Sequence, residues 1–220
     1  MSFRALSRIL SSCLFPVIVM SSLSLGAQDT SLILLPKPQL DIGKPLMQVL
    51  RDRKSSREFG SKDLSQQDLS NLLWAGFGIN RPETGGRTAP SAMNIQDIDL
   101  YVSTSLGLFR YMAKENSLRK ILAKDIRGLT GTQPFVKDAP VNIVFVADHS
   151  RMKKGSQDNA SFFAAADAAF ISENIYLYCA SEGLATVIRA SIDKDALAKA
   201  MMLGPKQEII LGQTVGFPRQ

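Results

Sequence analysis

The chain has 220 residues, 45% of them hydrophobic, which is enough for one domain with a real core and does not demand a second. A net charge of +6 favours small anionic ligands, while the absence of a Lys/Arg tail or of any DNA- or RNA-reading signature argues against a nucleic-acid binder. The single histidine, His149, excludes a conventionally built Ser–His–Asp or Cys–His centre and any multi-histidine metal site, so an enzyme made from this chain would take its hard chemistry from a cofactor.

Residues 1–27 read as a secretory signal. Arg4 and Arg8 supply the positive start, residues 9–25 are mostly apolar, and Ser24-Leu25-Gly26-Ala27 brings small residues up to polar Gln28-Asp29. The mature protein is then exported and periplasmic, with no membrane association unless the segment stays uncleaved as an anchor, which is the alternative. Cleavage removes Cys13 and leaves only Cys179, so no intramolecular disulfide can form. Cys179 sits in an apolar helical pattern and reads as a buried, inert thiol.

Residues 28–43, with Pro36 and Pro38 and little periodicity, read as an extended arm, and the domain proper spans residues 44–220. Residues 44–53 carry Leu46, Val49 and Leu50 at helical spacing. Their exit turn is Arg53-Lys54-Ser55-Ser56-Arg57-Glu58-Phe59, with three cations and two hydroxyls inside five residues. A planar guanidinium fork, a point charge and a short hydroxyl suit a phosphate dianion better than a carboxylate or an apolar ligand. Taken alone, such a cluster can also be a solvated surface or a weak nucleic-acid contact.

Ser65 and Asp68 are spaced as a capping box, with Leu64 and Leu69 placed as a hydrophobic staple. Leu69, Leu72, Leu73 and Phe77 mark one apolar helix face, ended by Gly76 and Gly78, and Trp74 reads as core. The polar, Gly-rich loop over residues 80–94, punctuated by Pro82 and Pro90, is of the kind that carries function. Residues 98–103 and 108–112 read as a hairpin across Gly107, and residues 118–125 as a helix. Residues 141–147 form a continuous, β-branched run typical of a central strand. After a charged loop over 149–159, residues 161–182 form the longest helix, with Gly183 as its cap. A strand over 185–190, a helix over 194–203 stopped by Gly204-Pro205, and a strand over 208–215 complete the chain. Strands and helices mix without strict βαβ alternation, so the fold class is α+β rather than doubly wound.

Four segments, in this order, resemble the FMN-dependent nitroreductase family. They are the Arg53–Phe59 cluster, Pro90-Ser91-Ala92-Met93-Asn94-Ile95-Gln96, Thr132-Gln133-Pro134-Phe135-Val136-Lys137-Asp138-Ala139-Pro140, and the long helix running into Glu182-Gly183-Leu184-Ala185-Thr186. Leu72-Leu73-Trp74-Ala75-Gly76-Phe77-Gly78-Ile79-Asn80-Arg81 with Gly86-Arg87-Thr88 is similar to the SagB-type azoline dehydrogenase branch. The resemblance covers roughly residues 44–217. It implies a central, mostly antiparallel sheet flanked by helices, in an intertwined homodimer that binds FMN at its interface.

Carried over by position, Arg53, Lys54, Ser55 and Arg57 would hold the FMN phosphate and ribityl chain. Pro90, Ser91 and Asn94 would line the flavin from the partner subunit. Glu182, Gly183 and Leu184 would pass close to the isoalloxazine ring and present backbone groups to it, with Gln133 and Lys137 near the ring-contacting region. The chain stops soon after Gly216-Phe217-Pro218, so Arg219 would replace the family's C-terminal basic contact to the phosphate. The implied function is two-electron transfer through flavin N5 between a small-molecule donor such as NAD(P)H and an organic acceptor, nitroaromatic or quinone-like. No side chain is cast as catalytic and no metal is involved. A non-catalytic FMN-binding or storage protein, and an azoline-type dehydrogenase acting on a modified peptide, are the alternatives.

Overall fold

The computed structural model describes residues 32–152 and 157–219; the segment read as a secretory signal lies outside the described residues. In chain order the elements are β1 (Leu32–Leu34), α1 (Leu46–Asp52), α2 (Gln66–Phe77), β2 (Ile79–Arg81), β3 (Gly86–Arg87), β4 (Ile98–Thr104), β5 (Gly107–Met112), β6 (Ser117–Leu122), β7 (Val141–Asp148), α3 (Ala160–Glu182), β8 (Ala185–Arg189), α4 (Lys194–Met201) and β9 (Gln207–Gly216). Seven strands make one sheet in the order β1-β6-β5-β4-β7-β9-β8, with every neighbouring pair antiparallel. The expected α+β architecture, a central antiparallel sheet flanked by helices, is what the chain adopts.

The β-branched run becomes β7, in the sheet interior between β4 and β9, and every residue from Val141 to Ala147 is buried. Its alternating side chains serve two cores. Ile143, Phe145 and Ala147 join Leu72, Leu73 and Phe77 of α2 and Ile171 and Ile175 of α3. Val144 and Val146 join Leu197 and Met201 of α4 on the opposite face. A strand covered on both faces needs no polar alternation, which is why it reads as a continuous apolar run.

The start of α2 follows its sequence signal: Ser65 Oγ accepts from Asp68 N–H and the Asp68 carboxylate accepts from Ser65 N–H, each at 3.1 Å. The helix expected over 118–125 is instead strand β6. Leu, Arg, Lys and Ile give this stretch no strong helical commitment, since propensities differ by only about 0.7 kcal/mol or less per residue. Pairing with β5 on one side and β1 on the other satisfies the backbone along most of its length. The arm expected to be extended carries a short strand. Leu32–Leu34 is the edge strand of the sheet, and side chains then hold the chain that follows. Pro36 O accepts from Ser70 Oγ and Asn116 Nδ2, Lys37 O from Gln67 Nε2, and Gln39 N donates to Asn71 Oδ1.

The polar loop contains the β2–β3 hairpin and a 3₁₀ turn at Ala92–Asn94. Met93, Asn94 and Gln96 all have φ near +52°, a left-handed conformation costly for residues with a Cβ. Hydrogen bonds compensate: Ser91 Oγ accepts from Gln96 N, and the Gln96 amide donates to Gly85 O and Asn94 Oδ1. Two apolar groups are left without cover, Leu46, Met47 and Leu50 on α1, and Phe162 and Phe170 on α3.

Candidate functional site

The basic cluster leaves α1 at Arg53 and is strapped into place from two sides. Ser56 N donates to Thr186 O of β8, Gly60 N donates to Phe217 O, and Phe59 bridges Pro218. Phe59 is the apolar peg of the segment. It is buried with Ala139, Ala185 and Val187 and packs on Phe135, ring centroids 5.5 Å apart. The sequence therefore anchors a charged loop with one aromatic side chain at its end.

Beside this loop lies a cavity of about 360 Å³. Lys54 and Ser56 from the loop, Tyr176 from α3, Gly183 and Thr186 after α3, and Arg219 near the C-terminus line it. Among the described residues, neither Lys54 nor Arg219 is in an ion pair. Asp52 and Glu58 also reach the cavity wall. Asp52 is occupied by Arg51, whose hydrogen bond at 2.9 Å holds the carboxyl below its ordinary value. Arg53 and Ser55 meet Tyr176 instead of facing the cavity directly: the guanidinium lies 5.3 Å from the ring centroid and Ser55 Oγ is 2.8 Å from the phenol oxygen. Arg57 is exposed, with no ion-pair partner among the described residues.

Gly183 caps α3 at φ +72°, where a Cβ would be strained but would meet nothing within 4 Å. Its flank is thus open space. The N–H groups of Gly183 and Leu184 both donate to Cys179 O, so neither of these backbone donors is free for a ligand. Glu182 accepts from Ser181 Oγ and lines a different hollow, of about 510 Å³, with Leu46, Trp74 and Asn174. Trp74 is only half-buried there, its Nε1 donating to Ile79 O. Another hollow, about 460 Å³ and carrying Lys62, meets the first at Gly183 and Pro218.

Pro90, Ser91 and Asn94 are not brought to this cavity. Their loop is tied to the other half of α3, where both oxygens of Asp167 accept from Ala92 N at 2.9 and 3.1 Å. From Asp167 to Gly183 the helix rises about 24 Å at about 1.5 Å per residue. Asp167 and the fully buried Asp97 lie side by side, their carboxyls within hydrogen-bonding reach of each other. Burial, reinforced by Asp97, pushes the Asp167 carboxyl up to about 6, so the pair holds a proton that ordinary carboxylates would have lost.

Gln133 and Lys137 likewise stand apart from the cavity. Lys137 is exposed, and Gln133 Oε1 is buried without a partner. What their segment contributes is Phe135, packed on the Phe59 peg. Beneath it Arg189 is buried with no carboxylate, donating to Thr130 O, Asn142 Oδ1 and Thr214 Oγ1, and desolvation lowers its guanidinium to about 10. Sequence reading gave no site role to Tyr176 or Lys62, and named Thr186 only as the end of the Glu182–Thr186 segment. Tyr176 lies 121 positions from Ser55, and no local pattern marks that pairing.

Comparison with known proteins places the chain in a family. A protein of Methanocaldococcus jannaschii described as a nitroreductase is 29% identical over 152 residues, spanning 64% of this chain and 76% of its own. A crystal structure from Ralstonia eutropha JMP134, also described as a nitroreductase, superposes with a TM-score of 0.83 at 43% identity, covering 88% of this chain and 92% of that one. The fold alone is shared with the Escherichia coli microcin synthetase McbBCD complex, with a TM-score of 0.66 at 15% identity over 97% of this chain and 85% of that one. The model of the Nitroreductase family matches residues 50–217, and the chain belongs to that family of oxidoreductases.

Proposed function

We propose that the protein is an FMN-dependent oxidoreductase acting as a homodimer, with a small-molecule reductant such as NAD(P)H and an organic acceptor, nitroaromatic or quinone-like. The observation that carries this reading is the cavity at Gly183. Two cations from opposite ends of the chain, Lys54 and Arg219, line one opening of about 360 Å³ without carboxylate partners of their own. Their donors, with Ser56, match the oxygens of a phosphate monoester. The open flank at Gly183 leaves room for a flat ring system to approach the backbone. Bound FMN supplies the two-electron chemistry; the chain binds it, orients it and shapes access to it.

A second copy completes the reading. Pro90, Ser91 and Asn94 line no part of the cavity: their loop is tied to Asp167, about 14 Å along α3 from Tyr176 and about 24 Å from Gly183, and a partner copy would bring them to the flavin. The uncovered apolar groups on α1 and α3 supply a surface that a dimer would bury. Export to the periplasm, through cleavage after residue 26 or 27, remains part of the proposal. It requires the cofactor to be acquired after translocation.

Purified protein incubated with FMN should show flavin absorbance that persists through desalting and should elute as a dimer. Absence of retained flavin would overturn the assignment. Anaerobic reduction followed by reoxidation with a quinone distinguishes an enzyme from a storage protein, which would hold flavin without cycling it.

A further inference from the structure

One hydroxyl of the basic loop pairs with a phenol, and either of the two could donate. Ser55 Oγ lies 2.8 Å from the hydroxyl of Tyr176. That phenol oxygen also receives the Ile188 N–H at 3.0 Å. A tyrosine has one proton to give, and these are its hydrogen-bond partners among the described residues. With Ile188 already donating to the oxygen, the phenol proton is best satisfied by Ser55 Oγ. Ser55 then accepts from Tyr176, and its own proton is left for whatever lies outside. Ser55 is exposed, between Lys54 and Arg57, which leaves that direction open to an anion. The Tyr176 ring is buried, and the Arg53 guanidinium stacks over it. One side chain from α3 therefore braces both a cation and a hydroxyl of the loop.

We propose that Tyr176 is the positioning residue of the anion clamp, donating to Ser55 and so committing that serine to donate to a phosphate monoester. This rests on the FMN reading of the cavity, whose rim Ser55 borders: its chain neighbours Lys54 and Ser56 and its partner Tyr176 all line it. A tyrosine that served only to satisfy Ile188 N–H would matter to folding and not to the phosphate, and the two roles separate experimentally. Tyr176→Phe keeps the ring and the Arg53 stack and removes only the hydroxyl.

Flavin-fluorescence titrations with FMN and with riboflavin, which lacks the phosphate, read the difference. Tyr176→Phe should weaken FMN about tenfold and riboflavin less than twofold. Ser55→Ala added to Tyr176→Phe should cost little more than either alone. Equal weakening of both flavins, unchanged FMN affinity, or losses that multiply in the double variant would each overturn the proposal. If Tyr176→Phe does not fold, 3-fluorotyrosine at position 176 retains the shape and makes a stronger donor. It should tighten FMN about twofold with riboflavin unmoved, and the reverse result counts against the proposal. A wild-type protein that binds neither flavin defeats the FMN reading, and calorimetry with inorganic phosphate then decides the Tyr176 inference. Phosphate binding weakened by Tyr176→Phe supports it, and no phosphate binding to the wild type overturns it.

Discussion

The two halves of α3 carry opposite kinds of polar construction. At its C-terminal end, Lys54, Arg57 and Arg219 are left exposed and outside any ion pair among the described residues, while two buried aromatics, Phe59 and Tyr176, hold the loop beneath them. Toward its N-terminal end the order is reversed. Asp97 and Asp167 are buried, and the exposed loop above them is held in a strained backbone by a dense set of hydrogen bonds. The first region keeps its binding capacity uncommitted. The second has spent its polar groups on holding a shape. A site assembled from both would take its charge recognition from one and its surface shape from the other.

The sharpest way to separate anchor from ligand contact is Phe59→Ala. Removing a buried phenylalanine costs about 3–5 kcal/mol, so urea unfolding should shift by that amount, and FMN retention should fail with it because the loop loses its peg. Lys54→Ala and Arg219→Ala should do the opposite. Each removes a charge-assisted contact worth about 1.5–3 kcal/mol, so each should raise the FMN Kd by about ten- to a hundredfold. The melting temperature of the flavin-free protein should stay within a degree or two. Equal losses in binding and stability would mean that these cations are structural.

The carboxyl pair at the other end makes a prediction about pH. Asp167 has its folded value raised to about 6, above that of an unfolded aspartate near 3.9. Between those values the native state holds a proton that the unfolded chain has released, so this group makes unfolding free energy fall as pH rises from about 4 to about 6. Its contribution is fully present below the unfolded value and lost above the folded one. The size is about 2–3 kcal/mol across that window. Asp52 and Asp125, held low by hydrogen bonds from Arg51 and Arg127, slope the other way, so the readout is a difference between two proteins. Asp167→Asn retains an acceptor for Ala92 N–H and should remove this component from the urea-unfolding profile. A variant whose pH profile parallels the wild type would show that the pair does not share a proton.

The sequence carried the local rules well and the long-range ones poorly. Ser65 and Asp68 sit three residues apart, and their capping box is a local event, so it could be read directly. The run that became β7 was legible because burial on both faces leaves its mark in composition. β6 was misread because its conformation is imposed by β5 and β1, from outside the segment. The same division runs through the site. The cations of the loop could be found by type and spacing, and Gly183 by its cap. Tyr176 could not, since it meets the loop only after the chain has returned across the sheet. Arg189 gave no signal, because a buried cation satisfied by carbonyls, amides and hydroxyls looks like any strand-end arginine until its partners are known.

Backbone strain gives the smallest test of the contrast. Gly183 at φ +72° and Met93 at φ +52° occupy the same left-handed region at opposite ends of the comparison. Gly183→Ala adds a Cβ that meets no atom within 4 Å, so any cost comes from backbone conformation alone. That cost is about 1 kcal/mol, or about 2–4 °C in melting temperature for a domain of this size. Met93→Gly relieves comparable strain at an exposed position where little packing is lost. It also adds freedom to the unfolded chain, which offsets part of the gain. The expected result is a loss of a few degrees at Gly183 and no loss, or up to about 1 kcal/mol of stabilisation, at Met93. The functional outcomes should not follow the stabilities. Gly183→Ala places a methyl group on the open flank of the cavity and should weaken FMN, whereas Met93→Gly loosens a loop whose contribution is its shape. Flavin binding by the second variant should therefore suffer even as its stability holds, and a Met93→Gly protein that binds FMN like the wild type would remove the N-terminal half of α3 from the site.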